Sequence, residues 1–139
     1  MKPLFMLTVL AIVLLAASNV CQAMLDIEQV DKPRAKELGI TIRVIAADKG
    51  AVRVVLEADA VGPLKSFKYV ELSMRDGPKF TVSATLKNEA TEPGHIYASC
   101  YIDRAMLDQL TLRVVAESGL QRDGYDLRIK DFAEAVKAK

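Results

Sequence analysis

Apolar side chains recur at every second position through most of the chain after Gly39, and this period constrains the fold more than any other feature. Successive side chains of a β-strand point to opposite faces, so the alternation indicates strands with one buried and one solvated face. We predict seven short strands on this basis. The alternating segments lie at 40–44, 52–58, 68–75, 79–87, 95–102, 110–116 and 125–129.

No stretch between these segments is long enough to form a helix that links two parallel strands. Turn-forming residues separate the strands instead, which favours antiparallel pairing in two packed sheets. The sequence therefore predicts an all-β fold, an antiparallel β-sandwich of about seven strands with a Greek-key connection. This arrangement resembles immunoglobulin-like domains in outline, although the chain has no Trp and lacks the paired cysteines of antibody domains.

Two predicted hairpins have registers that their turns fix. The loop 48–50 ends in Gly50, which can adopt the positive φ of a three-residue hairpin loop, and this loop sets Val44 opposite Val54. For the second hairpin, only a loop with an odd number of residues places the apolar side chains of both strands on the same face of the sheet. We therefore predict a three-residue loop over 76–78, with Leu72 opposite Val82.

Short helical segments interrupt the strands. Asp31 is a candidate N-cap and Gly39 a stop signal for a helix over 31–38. Asp103 caps a helical turn over 104–109, which we expect to carry the chain from one sheet to the other.

The first 23 residues have the pattern of a secretory signal peptide. Lys2 precedes an apolar run over 4–17, and small residues follow where a peptidase would cut. This run is shorter than the roughly 20 residues of a membrane-spanning helix, so we place cleavage after Ala23 and expect no span afterwards. The predicted divisions are 1–23 signal peptide, 24–38 N-terminal segment with a short helix, 39–131 β-sandwich domain and 132–139 C-terminal tail.

Two other interpretations of the leader stay open. An uncleaved leader would anchor the protein, and a lipid on Cys21 would do the same. Lipoprotein signals usually carry Leu three residues before the cysteine and a small residue directly before it, whereas Ser18 and Val20 occupy those places here. In either case the domain would lie outside the cytoplasm, in the periplasm or the extracellular space.

Charge and cysteine content narrow the possible functions. Lys2 is the only charged residue of the leader, so the remainder carries 18 basic and 18 acidic residues. The chain has no run of basic residues that could bind the phosphates of a nucleic acid, and we therefore expect no nucleic-acid partner. Cleavage would leave Cys100 as the single cysteine, which excludes an internal disulfide and favours a buried thiol.

Few residues are candidates for catalysis or metal binding, and we predict neither a catalytic site nor a cofactor. His95 is the only histidine and has no nucleophile signature beside it. A small enzyme using His95 or Cys100 is one alternative, and a metal carrier with Met74 and Met106 as further ligands is another. Against a metal site, His95 and Cys100 are five residues apart on one strand, so their side chains should point to opposite faces.

The most suggestive surface is aromatic. Phe67 and Tyr69 lie at the start of the third predicted strand, and Tyr97 and Tyr101 lie on the fifth, which His95 begins. If those strands were neighbours, the rings would cluster into a candidate binding face of the kind that recognises proteins or carbohydrates.

The remaining outward positions carry charges of both signs. They should form cross-strand ion pairs that keep the faces solvated. The expected function is thus an exported, non-enzymatic module that binds a protein or glycan, of undetermined oligomeric state. The charged outward residues are Arg43, Arg53, Arg113, Arg128, Glu57, Glu117 and Asp126.

Overall fold

The structure is a computed structural model that describes residues 25–76 and 79–134. Within these residues the chain forms eight strands in two sheets, one short α-helix and several 3-10 turns. The helix is α1 (Lys32–Glu37). The strands are β1 (Leu25–Gln29), β2 (Thr41–Ala46), β3 (Ala51–Asp59), β4 (Phe67–Asp76), β5 (Lys79–Leu86), β6 (His95–Asp103), β7 (Leu110–Ser118) and β8 (Gln121–Arg128).

The two sheets have the orders β1-β8-β7-β4-β5 and β2-β3-β6. In immunoglobulin lettering, β2, β3 and β6 take the places of strands A, B and E, while β5, β4, β7 and β8 follow the order C′, C, F and G. The predicted all-β sandwich is confirmed, with one strand more than the seven predicted. Sheet positions therefore follow the immunoglobulin-like outline, and β1 is an addition to it.

The first hairpin has the predicted register. Val44 pairs with Val54, and the Ala47 N–H donates to the Ala51 carbonyl at 2.9 Å. The loop between β2 and β3 is a 3-10 turn over Asp48–Gly50, in which Gly50 has a φ of 76° and Lys49 a φ of 59°. Two successive residues of the loop thus adopt the left-handed conformation, whereas the sequence predicts it for Gly50 alone.

The predicted register of the second hairpin is wrong. Leu72 pairs with Ala84 instead of Val82, and Asp76 pairs with Lys79. The register shifts between Met74 and Arg75, which marks a β-bulge in the pairing of β4 with β5. The extra residue therefore lies within the paired strands, whereas the prediction placed it in the loop. Both solutions keep the apolar sets on one face, which is why the alternation alone could not distinguish them.

β1 was not predicted. It pairs in parallel with β8, with Ile27 beside Gly124, and so departs from a purely antiparallel sandwich. β8 itself begins at Gln121, four residues before the segment that alternation marked, and pairs with β7 from there onward.

Both predicted helical segments are confirmed. The Asp31 side chain accepts a hydrogen bond from the Arg34 N–H at 2.9 Å and caps α1, which leads from one sheet to the other. Asp103 caps a 3-10 turn over Arg104–Gln109 by accepting from the Ala105 N–H at 2.9 Å. This turn connects β6 of the three-stranded sheet to β7 of the five-stranded sheet.

The core lies between the sheets and includes α1 and the segment after β8. Ile129 and Ala133 extend it into the last described residues, where a 3-10 turn spans Ile129–Phe132. The most completely buried side chains come from both sheets, among them Val52, Leu56, Ile96, Val70, Leu112, Val114 and Leu127.

The predicted leader, its cleavage point and Cys21 lie outside the described residues, as does the end of the tail. Among residues 25–76 and 79–134, no helix is long and apolar enough to cross a membrane.

Candidate functional site

The sandwich separates the aromatic residues that the sequence had singled out. Phe67 and Tyr69 lie on β4 of the five-stranded sheet, whereas Tyr97 and Tyr101 lie on β6 of the three-stranded sheet. The condition for a single aromatic cluster, that these strands be neighbours, is therefore not met. Phe67 packs against the core, and Tyr69 is half-buried beside Val115.

Tyr101 belongs to a different group, on the outer face of the three-stranded sheet. There Ile45, Arg53 and Tyr101 stand in one row across β2, β3 and β6, because Ile45 pairs with Arg53 and Arg53 pairs with Tyr101. Ile45 is 43% exposed and Tyr101 is 69% exposed. We call this row the Arg53 face.

Arg53 lies along the sheet instead of projecting into water. Its Nη2 donates to the Tyr97 hydroxyl at 3.0 Å, although Tyr97 is four residues from the Arg53 partner on β6. The Arg53 and Tyr97 side chains together span the row of Val55, which is only 1% exposed although it points away from the core. Arginine commonly covers apolar surface in this way while its charged group stays near water.

The guanidinium of Arg53 forms no ion pair among the described residues. Cross-strand ion pairs were predicted for this face, and Arg43 does pair with Glu57 at 3.2 Å. Arg53 forms no such pair in the described part of the chain, and its Nε is buried without a hydrogen-bond acceptor. An ionised side chain in this position favours a ligand that brings a carboxylate or another anion.

Arg53 and Ile45 are the residues that sequence reasoning missed, because the alternation showed them only as outward positions. One signal was present. Val55 interrupts the polar series on the outer face of β3, and a buried valine there requires a long neighbouring side chain to cover it.

His95 lies at the start of β6, away from this row. Its Nδ1 is 3.0 Å from Asp59 Oδ1, and both side chains are accessible to solvent. An exposed pair of this kind orients the imidazole ring. No serine or cysteine contact completes a nucleophilic arrangement with it in the described residues.

Cys100 points to the opposite side of β6, into the partly buried edge of the core. Desolvation raises the pKa of its thiol above the ordinary value of 9.0, which disfavours the reactive thiolate. Within residues 25–76 and 79–134, no three side chains of the His, Cys, Asp or Glu type are grouped as metal ligands.

A second surface feature is an apolar cleft of about 370 Å³, which we call the lateral cleft. It lies where the sheets separate, between the β4–β5 hairpin and β6 with its following turn. Tyr101 and Asp103 form its polar, exposed side. Its apolar lining consists of Leu72, Met74, Ala84, Ile102, Met106 and Leu110.

No family model matches the sequence, and neither the search of curated proteins nor that of solved structures finds a matching chain. The class of this protein rests on its own geometry: a two-sheet β-sandwich with an exposed sheet face and an open lateral cleft.

Proposed function

We propose that this protein is an exported, non-enzymatic β-sandwich module that binds a protein partner through the Arg53 face. The observation that supports it most directly is the row Ile45, Arg53 and Tyr101, in which two exposed side chains flank an arginine that forms no ion pair among the described residues. The guanidinium of this arginine extends from the row toward the Tyr97 hydroxyl. Arg and Tyr are among the residues that contribute most to the binding energy of protein interfaces.

The energetic argument concerns desolvation. A partner that covers Tyr101 and Ile45 would exclude water around Arg53, and a carboxylate on that partner would then form a charge-assisted hydrogen bond in a less polar medium. The tyrosine ring contributes a large contact area at low conformational cost, since only two side-chain torsions become fixed.

A protein is favoured over a glycan by the composition of the row. Adjacent strands are about 4.8 Å apart, so the row is about 10 Å wide and flat, and one of its three members is an aliphatic side chain. Isoleucine offers no hydrogen bond to sugar hydroxyls, whereas it suits an apolar side chain beside an acidic one.

Export is supported by the leader sequence, with its basic start, short apolar run and small residues before Ala23. Intact mass and fractionation of the expressed full-length chain test this part. We expect a species that lacks residues 1–23 in the extracytoplasmic fraction. Retention of the full mass in the cytoplasm would contradict export.

Site-specific photo-crosslinking in the expressing cells tests the binding face. A benzophenone amino acid replaces Tyr101 in one variant and Leu120 in the control, since Leu120 is 73% exposed on the turn between β7 and β8. We expect a discrete, protease-sensitive adduct from position 101 that is absent from position 120. Equal labelling at both positions, or an adduct that resists protease and yields to glycosidases, would contradict the proposal.

A pair of arginine variants sharpens the test. Arg53→Met keeps an unbranched chain over Val55 but removes the charge, and Arg43→Met removes a charge that Glu57 already pairs. The adduct should fall at least about tenfold with Arg53→Met, because one charge-assisted bond contributes about 1.5–3 kcal/mol. It should persist with Arg43→Met.

A further inference from the structure

The free edge of β6 is covered along only half of its length. The Tyr97 N–H donates to the Asn88 side-chain oxygen at 2.9 Å, and the Tyr97 carbonyl accepts from the Glu89 N–H at 2.7 Å. The His95 carbonyl accepts from the Asn88 side-chain amide at 3.2 Å. The chain that leads into β6 thus satisfies the first backbone groups of this edge.

Beyond Tyr97 the cover of the backbone groups ends, although the Ser99 hydroxyl still donates to the Glu89 carboxylate at 3.4 Å. In an antiparallel pair the backbone groups of alternate residues point toward and away from the neighbouring strand. Since those of Tyr97 point away from β3, those of Ser99 and Tyr101 do so as well. Neither residue has a backbone partner on that side among the described residues, because β6 pairs there with β3 alone.

The open half of the edge borders the lateral cleft. Ala84 on β5 pairs with Leu72 and faces the interior of the sandwich, yet it is exposed. The adjoining interior residues Met74 and Cys100 are only partly buried. The two sheets therefore leave apolar surface accessible directly beside unpaired N–H and C=O groups.

We propose that the edge of β6 from Ser99 to Asp103 takes up an extended segment of a partner protein as an additional strand. Its backbone would pair with Ser99 and Tyr101, and alternate apolar side chains would enter the lateral cleft. This is the general mode of strand addition, in which main-chain bonds give affinity and side-chain pockets give specificity. The site shares Tyr101 with the Arg53 face but uses its backbone groups and the lateral cleft, and it does not require Arg53 or Ile45.

An extended peptide fits better than a free apolar molecule for a geometric reason. The unpaired backbone groups of Ser99 and Tyr101 are two residues apart, which is a distance of about 6.8 Å along the strand. The backbone groups of an extended peptide have the same spacing. An apolar molecule would fill the cleft but leave these groups unpaired. Among the described residues that line the cleft, Asp103 carries the ionised group, so it favours a basic residue at that end of the segment.

The experiment uses the purified protein and a synthetic heptapeptide, Lys-Val-Thr-Val-Thr-Val-Thr, followed by amide NMR. The control peptide carries proline at its central position and cannot form a continuous ladder. We expect saturable shifts and slowed hydrogen exchange at the amides of Ser99 and Tyr101 with the first peptide only. Absence of these changes at millimolar peptide would overturn the proposal.

Two substitutions at one position isolate the backbone contact. Ser99→Pro removes an N–H that has no partner in the described structure, so the β3–β6 ladder stays intact. Ser99→Val loses the same hydroxyl, which donates to Glu89 at 3.4 Å, but keeps the N–H. Peptide binding should weaken at least tenfold with Ser99→Pro and little with Ser99→Val, and equal affinities would overturn the proposal.

Ala84→Trp provides a test that does not alter the β6 backbone, since it fills the cleft from an exposed position. Binding should again fall at least tenfold, while Arg53→Met should leave it unchanged. A concentration-dependent dimer that forms without peptide and is lost in Ser99→Pro would assign the edge to a second copy of the chain and overturn the proposed occupant.

Discussion

Arg113 and Asp126 face each other across β7 and β8 and form a buried ion pair on the outward side of the five-stranded sheet. Arg113 Nε donates to Asp126 Oδ1 at 2.6 Å and its Nη2 to Oδ2 at 2.9 Å. The two residues are 8% and 4% exposed. The hydrogen bonds with Asp126 raise the pKa of Arg113 further above its usual range, so the guanidinium stays charged at any pH that the fold survives.

Removing one partner of this pair should strongly destabilise the fold. Asp126→Asn removes the carboxylate that forms two hydrogen bonds with the buried Arg113 guanidinium, and losses of about 3–5 kcal/mol are typical of such changes. The double variant Arg113→Met with Asp126→Leu should recover much of the loss, because neither charge of this pair then remains buried. Urea unfolding measures the free energy of unfolding of the single and the double variants. If the loss in the double variant equalled the sum of the losses in the two single variants, the two residues would not be coupled.

The exposed pair Arg43 and Glu57 is the matched control for that measurement. Their side chains are 50% and 34% exposed, so water screens the interaction. Glu57→Gln should change the free energy of unfolding by less than about 1 kcal/mol. A loss comparable to that of Asp126→Asn would show that burial is not what distinguishes the two pairs.

Gly124 on β8 provides the surface on which β1 packs. A Cβ at this position would lie 3.3 Å from Leu25 Cδ1, 3.4 Å from Arg113 Cδ and 3.6 Å from Ile27 Cγ1. Gly124→Val should therefore displace β1 and cost about 1–3 kcal/mol, as overpacked sites do. Hydrogen exchange should show that the amides of β1 lose protection while those of β7 keep it. Equal loss of protection in both strands would argue that β1 is integral to the sheet.

The residue pattern of β1 explains why this strand could not be found from the sequence. Its five residues do not show the buried alternation of the other strands, and it is largely exposed. A parallel edge strand of this kind is specified by its partner β8, not by its own pattern. Strong alternation, by contrast, was sufficient for β2, β3 and β6, including the register of the first hairpin.

The same limit applies to the candidate site. Alternation correctly placed Tyr97 and Tyr101 on an outward face, but it carries no information about which strands are neighbours. Strand order depends on the non-local packing of the two sheets, and only the structure reveals that Tyr101 belongs with Arg53 and Ile45.

Alkaline pH should destabilise the protein through Cys100 and Tyr125. Burial raises the pKa of Cys100 above 9.0 and, together with smaller effects from neighbouring acids, that of Tyr125 above 10.0. In each case the folded state holds its proton to a higher pH than the unfolded chain, so stability is complete below the unfolded pKa and falls as pH rises beyond it.

Two variants separate these contributions. Cys100→Ala should flatten the decline of the unfolding free energy that begins near pH 9, and Tyr125→Phe should flatten the part that begins near pH 10. Urea midpoints from pH 7 to 11 measure the slopes. A wild-type slope that survives in the double variant would mean that other groups cause the decline.

The loop between β2 and β3 offers a test of backbone strain. Lys49 adopts φ 59° and ψ 36°, a left-handed conformation that costs a residue other than glycine roughly 1–2 kcal/mol. Asn tolerates this region and does not add the chain entropy that glycine would add to the unfolded state. Lys49→Asn should therefore stabilise the fold by several tenths of a kcal/mol.

Gly50→Ala is the counterpart in the same loop and should destabilise it by about 1 kcal/mol. Its φ is 76°, and no described atom outside the adjoining residues lies within 4 Å of a Cβ built there, so the cost would come from the backbone alone and not from a clash. Urea unfolding of both variants, with amide exchange of Ala47 as a local reporter, measures the two effects. If both substitutions changed stability in the same direction, the loop would not hold two successive left-handed residues, and the register that pairs Val44 with Val54 would need another explanation.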